Sequence, residues 1–205
     1  STQGVSSAAS DVYKRQPEGP TRTRTITVNV WDDSMTMTTA GGVFSGTRLD
    51  PGTAVLMRSV TPPPSNGTFL DLGCGYGPIA CALARACSGS HIVAVDVNDL
   101  AIDLTTRNAK ALRVGDRVHA CRPEEVDPDL RFDEIWSNPP IRVGKAALHE
   151  ILTTWLARLS DEGVAHLVVG KNLGADSLTS WLCEQGFDAA RVASAKGFRV
   201  IDIHA

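Results

Sequence analysis

No apolar run in the 205 residues is long enough to span a bilayer, and the N-terminal stretch has no signal-peptide core. The expectation is therefore a chain that neither crosses nor sits in a membrane and works in the cytoplasm. The five cysteines, Cys74, Cys81, Cys87, Cys121 and Cys183, include no C-x-x-C pair and no His/Cys cluster at zinc spacing. That absence argues against a structural metal and a disulfide framework, and no metal ligand is assigned. There is also no excess of positive charge: the formal net charge is -3, so any contact with nucleic acid must rest on a local patch. With 42% apolar residues the chain can still bury a sizeable core, and its length suits one domain.

Ser1 to about Pro20 is rich in Ser, Thr, Gly and Pro and is expected to be a disordered or non-native arm, leaving residues 21–205 as the folded domain. Thr25 to Val30 and Met35 to Thr38 alternate polar and apolar residues around Trp31-Asp32-Asp33-Ser34, the pattern of a β-hairpin. A polar, glycine-rich loop from Gly41 to Thr53 leads to a helical segment, Ala54 to Val60, and three prolines at 62–64 then break the helix.

Beyond this linker, short apolar strands alternate with helical runs. The strands are Thr68 to Leu70, His91 to Asp96, Val118 to Cys121, Phe132 to Trp136 and Val164 to Val169. The helices are Ile79 to Cys87, Asp99 to Leu112 with Asn98 or Asp99 as its cap, Lys145 to Leu159, and Ser177 to Gln185. Two further strands, Arg191 to Ala193 and Phe198 to Ile203, meet at Lys196-Gly197, a tight connection that requires antiparallel pairing. The result is an α/β fold: a Rossmann-like, seven-stranded, mostly parallel sheet with an antiparallel C-terminal strand, helices on both faces, and a small β-hairpin in front.

Three features carry chemistry. Asp71-Leu72-Gly73-Cys74-Gly75-Tyr76-Gly77-Pro78 joins the first core strand to a helix, with glycines where a backbone must approach a ligand closely and free N–H groups at the helix start. A dinucleotide turn needs Gly or Ala at position 78 for helix–strand packing, and proline stands there instead. Asp96 ends the next strand, nineteen residues after Gly77, where a carboxylate can accept both hydroxyls of a ribose. Ser137-Asn138-Pro139-Pro140 follows the fourth strand at the same sheet edge. Its stiff backbone can hold the Asn138 amide oxygen and a nearby carbonyl as fixed acceptors for a planar NH2 group. Each feature also has a plain structural reading, as a turn, a strand-terminal acid and a strand-ending loop; their joint placement favours a ligand site. His149 and His166 read as packed or surface residues rather than bases.

Together with Gly42-Val43-Phe44-Ser45 and Lys196-Gly197-Phe198-Arg199-Val200, these segments resemble the "methyltransferase small" family of S-adenosylmethionine (SAM) enzymes. That family includes bacterial 16S rRNA guanine-N2 methyltransferases, and the similarity runs over about residues 25–205 and is closest to the single-domain branch. It implies SAM as cofactor and rRNA or the small ribosomal subunit as partner. By the same resemblance Asp71, Gly73, Cys74, Gly75 and Gly77 surround the methionine part, and Asp96, Val97 and Asn98 the ribose side. Asn138, Pro139 and Pro140 form the catalytic loop. Phe44, Ser45, Ile141, Arg142 and Lys145 lie on the substrate side.

Two departures stand out. Arg122-Pro123-Glu124 occupies the place where relatives often carry an adenine-binding acid, and Ile141 replaces a common Tyr or Phe. The alternatives are a protein glutamine methyltransferase, a non-catalytic RNA-binding or assembly module, and a nicotinamide dehydrogenase. Arg48, Arg142, Lys145, Lys171, Lys196 and Arg199 are candidates for a phosphate-binding patch or for scattered surface charge. The sequence does not set the oligomeric state, and a monomer is compatible with it.

Overall fold

A computed structural model describes residues 21–43 and 47–205. The expected N-terminal arm, and the candidates Phe44 and Ser45, lie outside the described residues.

Strands β1 (Thr23–Val30) and β2 (Asp33–Ala40) form the hairpin. Their alternation buries Ile26, Val28, Val30, Met35 and Met37 against the core. The turn is shorter than the sequence suggests, consisting only of Trp31 and Asp32, both with left-handed φ (50° and 59°). Non-glycine residues resist that conformation. Here the Trp31 indole compensates, donating to the Val60 carbonyl at 2.9 Å and packing edge-on against Trp136 at 5.6 Å between ring centres.

Helix α1 (Pro51–Ser59) starts three residues before the expected Ala54. Pro51 and Gly52 read as breakers, yet proline at the first helical turn loses no hydrogen bond, and the Asp50 carboxylate caps the amides of Gly52 and Thr53.

The core sheet has the order β5-β4-β3-β6-β7-β9-β8. Its members are β3 (Thr68–Leu72), β4 (His91–Val95), β5 (Val118–Cys121), β6 (Phe132–Ser137), β7 (Leu159–Gly170), β8 (Asp188–Ala195) and β9 (Phe198–His204). All neighbouring pairs are parallel except β7 with β9 and β9 with β8. The hairpin, α1, α2 (Pro78–Ala86) and α3 (Asp99–Ala111) cover one face, and α4 (Lys145–Leu156) and α5 (Ala175–Glu184) the other. The chain first steps from β3 outward to β4 and β5, then returns to β6 on the far side of β3. That reversal brings the C-terminal ends of β3, β4 and β6 to one edge, where ligands bind in open α/β sheets.

Helix α4 stops at Leu156, short of the expected Leu159, because that residue already belongs to β7. Both β7 and β8 exceed their expected lengths; their added residues are largely polar or alanine and lack the apolar signal of a buried strand. Lys196 and Gly197 both have left-handed φ (51° and 78°), as a tight β8–β9 hairpin demands. Among the described residues, no helix is long and apolar enough to cross a membrane, and no group of three or more His, Cys, Asp or Glu side chains is arranged so that it could hold a metal ion.

Strand register also builds an ionic cluster inside the sheet. His166 pairs with Trp136 on one side and Asp202 on the other. Its Nδ1 lies 2.7 Å from Asp202 Oδ1 and its Nε2 3.0 Å from Glu134 Oε1, which also accepts from the Trp136 indole at 3.1 Å. Carboxylates only accept, so both ring nitrogens carry protons. Burial opposes the charge, but the bonds to Asp202 and Glu134 outweigh it and raise the imidazole to about 9. A folded-state value above the unfolded one stabilises fully below about pH 6.5 and is lost as pH rises through 9. Urea unfolding between pH 6 and pH 9.5 should therefore lose up to about 3 kcal/mol through this group, and His166→Gln should flatten the profile.

Candidate active site

Gly73, Gly75 and Gly77 all have positive φ (77°, 56° and 91°), but for different ends. A β-carbon on Gly73 meets nothing within 4 Å, and one on Gly75 meets only Val43, so both leave room on the cleft side, with Gly73 exposed and Gly75 buried. A β-carbon on Gly77 would lie 2.9 Å from the Thr105 side chain, so this glycine lets α2 start against α3. The amides of Gly73 and Cys74 donate to the Val95 carbonyl at 2.8 and 2.9 Å, tying the turn to the end of β4. Thr105 donates to the Gly75 carbonyl at 2.9 Å. Buried Asn108 bonds the Tyr76 carbonyl and both the N–H and C=O of Thr38, fixing the turn and the hairpin to one helix. Burial raises the Cys74 thiol well above its ordinary value, which removes it as a nucleophile.

Asp96 spans the turn: its Oδ2 accepts from the Gly75 amide at 3.0 Å and its Oδ1 from the Asn98 amide at 2.9 Å. Asn98 in turn caps α3 through the Leu100 amide, which settles the choice of cap. Asp71 is buried behind the turn. One of its oxygens accepts from the Ala80 amide at 2.9 Å while the other is buried without a partner. Desolvation, against the pull of the Ala80 bond and with help from Asp96, pushes this carboxyl up to about 7. Buried polar atoms are normally hydrogen-bonded, so this oxygen stands out, although Asp71 itself lines neither cavity described below.

An open cleft of about 250 Å³ runs along the sheet edge, near the lower end of the size range of small-molecule sites. Gly73, Gly75, Asp96, Val97, Asn98, Asn138 and Pro140 line it, so the glycine turn, the strand-terminal acid and the proline loop meet as the sequence implies. A smaller adjoining cavity is bounded by Cys74, Gly75, Asn138, Asp50 and Thr53. Pro139 is buried beneath the loop, and Ile141 opens a short 3-10 turn, Ile141–Val143, before α4. Arg142 and Lys145 are exposed on the same edge but outside both linings.

Residues that sequence reasoning missed complete the walls. Pro123, Ala101, Leu72, Ile151 and Trp155 give the cleft an apolar side where no adenine-binding acid was found. Their only sequence signal is apolarity, which they share with the core. The amide of Asn138 is also held: Nδ2 donates to Asp50 Oδ1 at 2.8 Å and Thr53 Oγ1 at 3.1 Å. Its amide oxygen has no protein partner among the described hydrogen bonds. The arrangement can therefore bind an elongated ligand with a diol at Asp96 and present an acceptor to an NH2 group at Asn138.

The sequence matches the methyltransferase small domain over residues 34–202. The uncharacterised protein YbxB of Bacillus subtilis is 32% identical over 192 residues, 92% of this chain and 95% of that protein. Ribosomal RNA small subunit methyltransferase C of Aeromonas hydrophila is 33% identical over 132 residues, 63% of this chain but 37% of its own length. Among solved structures, the 16S rRNA guanine-N2 methyltransferase of T. thermophilus, in complex with AdoMet and guanosine, superposes with a TM-score of 0.77 and 25% identity. That alignment covers 90% of this chain and 51% of the other.

Proposed function

The chain belongs to the methyltransferase small domain family, whose cofactor is SAM, and from that premise we propose that it methylates the exocyclic N2 amine of a guanine in small-subunit rRNA. The observation that carries the reading is the shared cleft, with Asp96 and the glycine turn on one side and the free Asn138 oxygen on the other.

SAM, when bound, supplies an already activated methyl group, so the protein must contribute alignment rather than a strong base. Asp96 accepts the ribose hydroxyls. Gly73 and Gly75 admit the methionine part close to the backbone, and the unpaired Asp71 oxygen takes a donor from its amino group, directly or through water. Asn138, on a loop fixed by Pro139, accepts from the target amine and turns its lone pair toward the methyl group. Relatives named as small-subunit rRNA methyltransferases, and a structural neighbour solved with guanosine, support guanine over other amines.

Surface charge supports an RNA partner. Arg142, Lys145, Lys171 and Lys196 are exposed and have no ion-pair partner among the described residues. Lys171 and Lys196 are neighbours, because the Lys171 amide donates to the Gly197 carbonyl at 2.8 Å. Arg199, another candidate, pairs with Asp176 at 2.9 Å instead. Lys145→Ala with Lys171→Ala should weaken RNA binding at low salt and lower the salt-dependence slope by roughly 1 to 2, read by filter binding across a salt series. Incubation with methyl-labelled SAM and either 16S rRNA or a release factor tests the substrate class. Label in the rRNA is expected; label only in the protein selects glutamine-amide methylation instead.

A further inference from the structure

We infer that Asp50, helped by Thr53, is a positioning residue that fixes which way the Asn138 amide faces. This rests on the reading of Asn138 as the acceptor for the target amine, and goes beyond it by explaining what makes that acceptor available.

An asparagine amide has a donor end and an acceptor end that differ little in shape, so its orientation is set by its neighbours. A carboxylate such as that of Asp50 accepts hydrogen bonds and donates none. Its Oδ1 receives the amides of Gly52 (2.9 Å) and Thr53 (3.1 Å) and also Asn138 Nδ2 (2.8 Å). A flipped amide would set Oδ1 of Asn138 against that carboxylate oxygen, two acceptors with no hydrogen between them. The second Nδ2 hydrogen goes to Thr53 Oγ1 at 3.1 Å. Both donors are thus spent inside the protein and the carbonyl end is turned away from the clamp.

The clamp sits on a rigid base. The carboxylate that orients Asn138 is the same one that caps α1, so the helix N-terminus holds it in place. Gly52 leaves the room: a β-carbon there would stand 3.3 Å from Asn138 Nδ2 and 3.0 Å from the Phe198 ring. Its φ lies outside the left-handed region, so the need for glycine at 52 is one of space. Asp50 and Asn138 are 88 residues apart, and only the fold brings them together.

Asp50→Ser tests this without unfolding α1, because serine is also a good cap. Its hydroxyl can donate as well as accept, so it no longer dictates the amide orientation. With 16S rRNA as acceptor, kcat should fall about 10- to 100-fold, the scale expected for a misaligned reactant, while the SAM dissociation constant and the KM for RNA stay unchanged. Asp50→Asn, whose oxygen can still accept the three N–H groups, should recover part of the rate. In the Asn138→Ala background, Asp50→Ser should cost nothing further.

An activity-independent readout uses 15N-labelled asparagine, with the Asn138 signal assigned by its loss in Asn138→Ala. Its side-chain NH2 protons should exchange slowly in the native protein and at the rate of a free amide in Asp50→Ser/Thr53→Val. Unchanged exchange in that double variant, or unchanged kcat in Asp50→Ser when Asn138→Ala is inactive, overturns the inference. Full turnover by Asn138→Ala refutes the reading of Asn138 beneath it instead.

Discussion

Replacing Asn138 with alanine is expected to lower kcat by about 10²–10³, the cost of deleting one oriented hydrogen-bonding group from a reaction centre, while SAM binds as before. The substitution removes the Asn138 amide oxygen, an acceptor in the cleft wall with no partner among the described hydrogen bonds. It touches none of the hydrogen bonds that hold Gly73, Gly75 or Asp96 in place. The loss should therefore appear in single-turnover methylation and not in calorimetric titration with SAM. Asn138→Asp gives a useful comparison: it keeps an acceptor but sets a carboxylate against Asp50 Oδ1, 2.8 Å from where Nδ2 now lies. It should be no more active than alanine at neutral pH.

The second large effect lies on the other side of the cleft. Asp96→Ala should weaken SAM binding about a hundredfold or more, because hydrogen bonds to a charged acceptor contribute about 1.5–3 kcal/mol each and a ribose offers two hydroxyls. Part of the loss will come from the protein itself, since the Gly75 and Asn98 amides lose their shared anchor. Asp96→Asn separates the contributions: its one acceptor oxygen can keep one of those amides, but it no longer carries the charge. Its affinity should fall between the other two, and kcat at saturating SAM should remain close to that of the native protein. A pair of variants with opposite signatures, one losing turnover and the other affinity, is what a cleft with two separate halves requires.

The parts of the site written as local chemistry were legible in the sequence. Gly73, Gly75 and Gly77 between strand and helix, Asp96 at a strand end, and the double proline after Asn138 each restrict the backbone or place a charge within a few residues. The mostly parallel sheet followed from alternating strands and helices, and Lys196-Gly197 announced the final hairpin through its turn chemistry. What escaped depended on contacts between distant segments. Asp50-Pro51-Gly52 looks like loop composition, and only the helix behind it reveals a cap that also clamps Asn138. Trp31 and Asp32 form a tight turn without glycine because Trp136 and the Val60 carbonyl compensate the backbone. His166 read as an ordinary strand residue; its charge depends on register with Glu134 and Asp202, 32 and 36 residues away. The apolar wall of Pro123 and Ala101 supplies a surface where sequence reasoning sought an acid.

The central claim is that this cleft delivers a methyl group to the N2 amine of a guanine in small-subunit rRNA. Mass spectrometry of rRNA nucleosides from cells with and without the protein tests it most directly. N2-methylguanosine at one small-subunit position should vanish in the deletion, return with the native protein and stay absent with Asn138→Ala. Identical nucleoside profiles in the two strains, or restoration by Asn138→Ala, would contradict it.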